Sequence, residues 1–220
     1  MKKVLVGFIS FFIFLSLVNA EDNNTLAPNA KSAILIEAST GEILYEYNKD
    51  EKLPPASMTK MMSLLLIMES LDKGIIKYND LVTVSENASG MGGSQILLET
   101  GETMSVDDLL KGITVASGND AVVALAEKIA GTEENFVKMM NDKAKDLGLK
   151  NTQFKNCHGL DAKEHYSSAN DMVIIAKELV KHQKILDYSS IYETYLRKGT
   201  DKQIWLVNTN NVVYKNYYSE

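Results

Sequence analysis

Ser57-Met58-Thr59-Lys60 is the stretch of this sequence with the most obvious chemistry. Pro54-Pro55 ends an extended loop before it, and the apolar run Met61 to Met68 after it reads as a buried helix. Ser57 therefore falls at or near the N-terminus of that helix. Residues three apart on a helix share a face, which brings Lys60 back beside Ser57. A serine hydroxyl is a weak nucleophile until a base takes its proton. A lysine whose pKa is lowered by burial or by a cationic neighbour can be that base. The N–H groups of a helix start also favour the negative charge that develops on an attacked carbonyl. The spacing alone is not specific, because it recurs at Ser70-Leu71-Asp72-Lys73, just before Gly74, where lysine is an ordinary helix-end residue. An N-cap serine with a solvated lysine one turn on would fit Ser57 as well.

A second candidate is Ser117-Gly118-Asn119, on a tight turn between two predicted helices. There a hydroxyl and a carboxamide can face one cleft, the first relaying a proton to a leaving amine and the second holding a substrate carbonyl. Ser-x-Asn also recurs, at Ser85-Glu86-Asn87 and Ser168-Ala169-Asn170, where turn and N-cap roles suffice.

The elements that must position these groups are legible around them. Ala33–Ile36 and 43–47 read as strands, and Ser39-Thr40-Gly41 supplies the turn of a hairpin. The Ser57 helix closes at Gly74, and a short strand is predicted over 81–84. A glycine-rich loop spans Ser89 to Ser94; no Gly-Lys-Ser/Thr comes after it, which argues against a phosphate cradle. Ser105, with Asp108 three residues on, predicts a helix through about Ala116. Further helices are predicted from about Asn119 to Ala130, from Thr132 to Gly148, and from Ser168 to about His182. Ile191 to Leu196 and Gln203 to Val207 read as two strands turned by Lys198-Gly199-Thr200-Asp201. Hairpin, helical block and strands in that order give an α+β layout, with one sheet expected from both ends of the chain.

Composition narrows the setting. Lys2 and Lys3, the apolar stretch Val4 to Val18 and Val18-Asn19-Ala20 read as a cleavable export signal over 1–20, followed by a polar lead-in over 21–30. Loss of the two leader lysines takes the formal charge from −6 to −8, which argues against nucleic acid as a partner. Cys157 is the only cysteine, so no internal disulfide is possible, and buried packing is its default role. His158, His165 and His182 are too scattered for a zinc site, and neither metal nor cofactor is expected.

Ser57-x-x-Lys60 followed about sixty residues later by Ser117-Gly118-Asn119, behind an export signal, resembles the penicillin-binding serine enzymes and class A β-lactamases. Leu53-Pro54-Pro55-Ala56-Ser57-Met58-Thr59-Lys60, Gly101-Glu102, Ala116 to Ala121 and His158-Gly159-Leu160-Asp161 are similar to the D-alanyl-D-alanine carboxypeptidases, the low-molecular-mass penicillin-binding proteins. The resemblance covers roughly residues 30–212. It implies a β-lactamase/transpeptidase-like fold, an antiparallel sheet with a helical subdomain, here over 31–220 and incomplete at its C-terminus. It implies Ser57 as acylated nucleophile with its N–H as half of an oxyanion hole, Lys60 as general base, Ser117 as proton donor to the departing D-alanine, and Asn119 as substrate-binding residue. It implies peptidoglycan stem peptides as substrates, β-lactams as covalent inhibitors, and a location outside the cytoplasm. The Gly90 to Ser94 loop and His158-Gly159-Leu160 are expected to border the cleft, with a structural rather than catalytic part for His158.

That family's third signature, Lys-Thr/Ser-Gly on a cleft strand, does not occur; Lys198-Gly199-Thr200 has the wrong order and falls in a turn. The expectation is a chain truncated just before that strand, poorly active, with an open sheet edge and without the family's C-terminal β-rich domain and amphipathic membrane helix. Two alternatives stand beside this reading. A class A β-lactamase would need Glu-x-x-Leu-Asn, and Glu193-Thr194-Tyr195-Leu196-Arg197 in a predicted strand is the nearest stretch. A non-catalytic wall-binding homologue would keep the cleft without the chemistry.

Overall fold

The structure is a computed structural model that describes residues 26–214, so the predicted leader over 1–20 lies outside the described residues. Leu26–Ala30 belongs to a first unit, Met1–Ala30, and closes a turn with Ala30 N–H donating to Ala27 O at 2.9 Å. The second unit begins at Lys31 and holds the strands, the helices and the hydrophobic core.

Strands β1 (Ala33–Ile36) and β2 (Ile43–Tyr47) form the predicted antiparallel hairpin. A 3₁₀ turn over Ala56–Thr59 runs into helix α1 (Lys60–Asp72). Met62 through Met68 are all buried, so α1 is apolar nearly all round and sits at the centre of the core. It packs against α4 (Asn119–Ala130), α5 (Glu133–Asp146) and α6 (Ala169–Leu179). Helix α3 (Val106–Ala116) lies against α4 and against α7 (Lys184–Ser189). Side-chain caps set three of these starts: Ser105 Oγ accepts from Asp108 N–H at 3.1 Å, Thr132 Oγ1 from Asn135 N–H at 3.1 Å, and Ser168 Oγ from Asp171 N–H at 3.2 Å.

Two helices and a strand were not anticipated. Ser85 caps the four-residue helix α2 (Glu86–Ser89), β3 (Leu81–Thr83) pairs with β4 (Thr103–Ser105), and α7 is separate from α6, which stops at Leu179 rather than near His182. Elements of three to six residues carry too little periodicity to be read locally.

The single sheet expected from both chain ends is corrected by the structure. Among the described residues the strands form three separate antiparallel pairs, β1–β2, β3–β4 and β5–β6, the last being Glu193–Leu196 with Ile204–Val207. The reason is packing: β1 rests on α6, whereas β5 and β6 rest on α3, so the two hairpins are held by different helices.

Candidate active site

Ser57 is exposed and Lys60 is buried, and the local chain geometry explains both. Pro55 precedes a 3₁₀ turn in which Ala56 takes φ +46°, a left-handed value rare for a residue with a side chain. The turn lifts Ser57 to the surface, and Lys60, the first residue of α1, points inward at 4% exposure. Lys60 Nζ donates to Ser57 Oγ at 3.2 Å and to the His158 carbonyl at 2.8 Å. Burial of the ammonium lowers the Lys60 pKa to about 8, and the nearby Asp120 carboxylate opposes part of that shift. A good share of Lys60 is thus neutral near pH 8 and able to accept the Ser57 proton.

A strap over residues 151–168 closes on this turn. It is tied down by the Leu53–Ser167 and Gln153–Tyr166 bridges, whose hydrogen bonds run from 2.8 to 3.0 Å. Gly159, at φ +96°, touches the back of the Ser57 turn: a Cβ there would lie 2.0 Å from Ala56 O and 3.1 Å from Ser57 N. Only glycine permits that approach. The His158 ring is held within the strap, its Nδ1 accepting from Leu160 N–H at 3.1 Å. Burial lowers the His158 pKa, Glu133 opposes this, and Lys60 adds to it. Sequence reasoning missed a second histidine. His165 Nδ1 accepts from Lys155 N–H at 3.0 Å, so the neutral ring carries its proton on Nε2 and donates it to Thr59 Oγ1 at 2.8 Å. Cys157 is fully buried, and burial pushes its thiol well above the ordinary range.

Ser117 ends α3 in the left-handed conformation, φ +57°, and Asn119 opens α4. Asn119 is held from both ends, its N–H donating to Ser94 O and its Nδ2 to Gly92 O, each at 2.7 Å. Next to it the buried Asp120 accepts from Ile96 N–H and Leu98 N–H at 3.0 Å each, fixing a turn in which Leu97 has φ +57°. Arg197, from the β5–β6 turn, grips the same loop with Nη1 to Ile96 O at 3.2 Å, Nη2 to Leu97 O at 3.1 Å, and a two-pronged pair with Glu102. Nothing near Asp120 or Arg197 in sequence marks these partners, which lie 22 to 101 residues away.

Two cavities meet at Ser57. One, of about 320 Å³, is lined by Ala56, Ser57, Gly93, Ser94, Asn119 and His158 to Asp161. The other, of about 330 Å³ and more apolar, is lined by Ser57, Lys60, Met61, Ser117, Leu179 and Thr209 among others. All four sequence-predicted residues therefore border one cleft, with Ser57 at its centre. The direct contact among them is Lys60 to Ser57; Asn119 lines the first cavity and Ser117 the second. Glu193, the nearest candidate for a deacylating glutamate, is on the exposed side of β5 and accepts from Trp205 Nε1 at 3.1 Å, outside both cavities.

Residues 18–220 match the family described as D-alanyl-D-alanine carboxypeptidase. The chain belongs to that family. The D-alanyl-D-alanine carboxypeptidase DacF of Bacillus subtilis (strain 168) is 62% identical over 216 residues, 97% of this chain and 56% of that protein. DacA of Escherichia coli (strain K12) is 37% identical over 230 residues, again 56% of its length. Penicillin binding protein 5 from Haemophilus influenzae superposes with a TM-score of 0.79 at 37% identity, covering 84% of this chain and 54% of that one. A mutant of Streptomyces K15 DD-transpeptidase gives a TM-score of 0.77 at 25% identity, covering 86% and 77%. The fold is therefore the mixed α+β, transpeptidase-like one, and the chain spans about half the length of the curated carboxypeptidases it matches.

Proposed function

We propose that this chain carries the nucleophile half of a serine-type D-Ala-D-Ala carboxypeptidase that trims peptidoglycan stem peptides through an acyl-serine intermediate. Lys60 takes the Ser57 proton, Oγ attacks the carbonyl of the penultimate D-alanine, and the Ser57 N–H steadies the oxyanion. The C–N bond then breaks, and the departing amine receives a proton relayed by Ser117, while Asn119 holds the substrate peptide. Water hydrolyses the ester and restores Ser57. The observation that carries this reading is a lysine at 4% exposure, with its pKa lowered to about 8, donating at 3.2 Å to an exposed serine in a cleft.

The same reading takes β-lactams as covalent inhibitors of Ser57 and, with residues 1–20 as an export signal, 21–30 as lead-in and 31–220 as peptidase domain, an extracytoplasmic location. The negative formal charge disfavours nucleic acid. Among the described residues no helix is long and apolar enough to cross a membrane. The 220 residues contain no Lys-Thr/Ser-Gly, so they do not supply that strand's oxyanion donor, and one such donor is worth roughly 10²–10³ in rate. Slow acylation is therefore expected. The test is intact-protein mass after incubation with benzylpenicillin, beside Ser57→Ala. A slowly formed adduct of one benzylpenicillin on the parent chain alone supports the reading. An adduct that survives Ser57→Ala, or none on the folded parent chain, overturns it for these residues.

A further inference from the structure

The β5–β6 hairpin has two unlike faces. Thr194, Leu196, Ile204 and Leu206 turn toward α3, with Leu196 and Leu206 buried. The opposite face carries Glu193, Tyr195, Gln203, Trp205 and Val207, all exposed. Tyr195 and Trp205 are direct cross-strand partners, and their rings stack at 6.4 Å between centroids and 19° between planes. Tyr195 is 40% and Trp205 56% exposed, so part of the stacked pair is open to solvent. A carboxylate adjoins it: Glu193 accepts from the indole N–H at 3.1 Å, while the Gln203 carboxamide oxygen accepts from Gly199 N–H in the turn at 3.0 Å.

We infer that this aromatic face is a docking platform for a β-linked amino-sugar chain, the glycan to which the stem peptide of the proposed substrate is attached. The inference rests on the carboxypeptidase reading for the identity of that glycan. The chemistry fits a pyranose polymer. Sugar C–H bonds on one ring face are weakly positive and seat on the negative face of an aromatic ring, while flanking carboxylate and amide groups bond the hydroxyl and acetamido rim. A bare apolar partner would leave Glu193 desolvated.

Continuity with the cleft supports the same occupant. Strand β6 runs from Trp205 toward Thr209, which lines the apolar cavity beside Ser57 and Lys60. The connection is pinned: Asn208 N–H donates to Tyr192 O at 2.8 Å and Thr209 N–H to Val115 O at 3.1 Å. Strand β6 ends at Val207, two residues before Thr209.

Trp205 is the only tryptophan, which makes its fluorescence a direct reporter of this face. The probe is a β-1,4-linked N-acetylglucosamine hexamer, titrated into the full chain. A saturable shift of Trp205 emission is expected, weakened about tenfold or more by Tyr195→Thr and unchanged by Leu81→Ala, an exposed apolar site on another hairpin. Threonine keeps a strand-favouring side chain at 195, and circular dichroism checks that the variant is folded. No saturable shift with folded protein, or a shift indifferent to Tyr195→Thr, overturns the inference. So does a sugar-independent, concentration-dependent shift accompanied by dimer mass, which assigns the face to a second copy. Benzylpenicillin acylation of the same preparation separates the two proposals: an adduct without sugar binding sinks only the platform, and sugar binding without an adduct sinks only the catalytic reading.

Discussion

Helix α1 carries the same Ser-x-x-Lys spacing at both ends, and the two copies are opposites. At its start Ser57 is exposed and Lys60 is buried, with the lysine aimed at the serine. At its end Ser70 is 3% exposed and donates to Leu66 O at 2.7 Å, while Lys73 lies in solvent and pairs with Glu69 at 3.3 Å. Spacing decides that serine and lysine share a face in both places. Burial decides which partner loses its water, and only a lysine that has lost its water becomes a base at moderate pH. The Ser-x-Asn copies divide the same way. Ser85 and Ser168 cap helix starts, whereas Ser117 ends a helix in a left-handed bend and borders the cleft.

The largest effect expected from breaking this contrast is on acylation. Ser57→Ala removes the benzylpenicillin adduct entirely, whereas Ser70→Ala leaves it and costs only about 1 kcal/mol of stability in a denaturant melt. The pH dependence comes next. Acylation needs neutral Lys60, so its rate climbs roughly tenfold per pH unit below about 8 and levels above it, read by stopped-flow with a fluorescent penicillin. Lys60→Arg stays protonated and flattens the profile near zero; Lys73→Met leaves it intact.

Gly159→Ala should rank third, since its methyl would meet Ala56 O at 2.0 Å. A loss of about 2–4 kcal/mol and of acylation is expected, and a variant with unchanged melting would show that the strap does not brace the turn. Stability against pH sharpens the picture further. The unfolded chain holds the Lys60 proton up to about 10.5 and the fold releases it at about 8, so Lys60 opposes folding below 8 and ceases to above 10.5. The parent chain should gain on Lys60→Met across that window, by at most about 3 kcal/mol. The smallest effect is Ala56→Gly, which relieves the left-handed strain at φ +46° and should alter stability by less than about 1 kcal/mol.

Much of the fold was legible because its signals are local. Ser105, Thr132 and Ser168 cap helices where their side chains predict, and both terminal hairpins form from short strands around turn residues. The assembly of those hairpins was not legible, since one sheet was expected and separate pairs are found. The site divides likewise. Ser57, Lys60, Ser117 and Asn119 stand out by type and spacing, while Asp120, Glu133, His165 and Arg197 act through partners distant in sequence.

By itself the sequence determined which residues could do acyl chemistry, and the helix periodicity that sets Ser57 and Lys60 one turn apart. Only the tertiary structure decided that Lys60 is buried and Lys73 is not. It also decided that Gly159 can press against Ala56, and that the Asn119 loop is clamped by Asp120 and Arg197. The physical reason is that backbone hydrogen bonds and side-chain periodicity act over a few residues. Desolvation and close approach depend on segments brought together from across the chain.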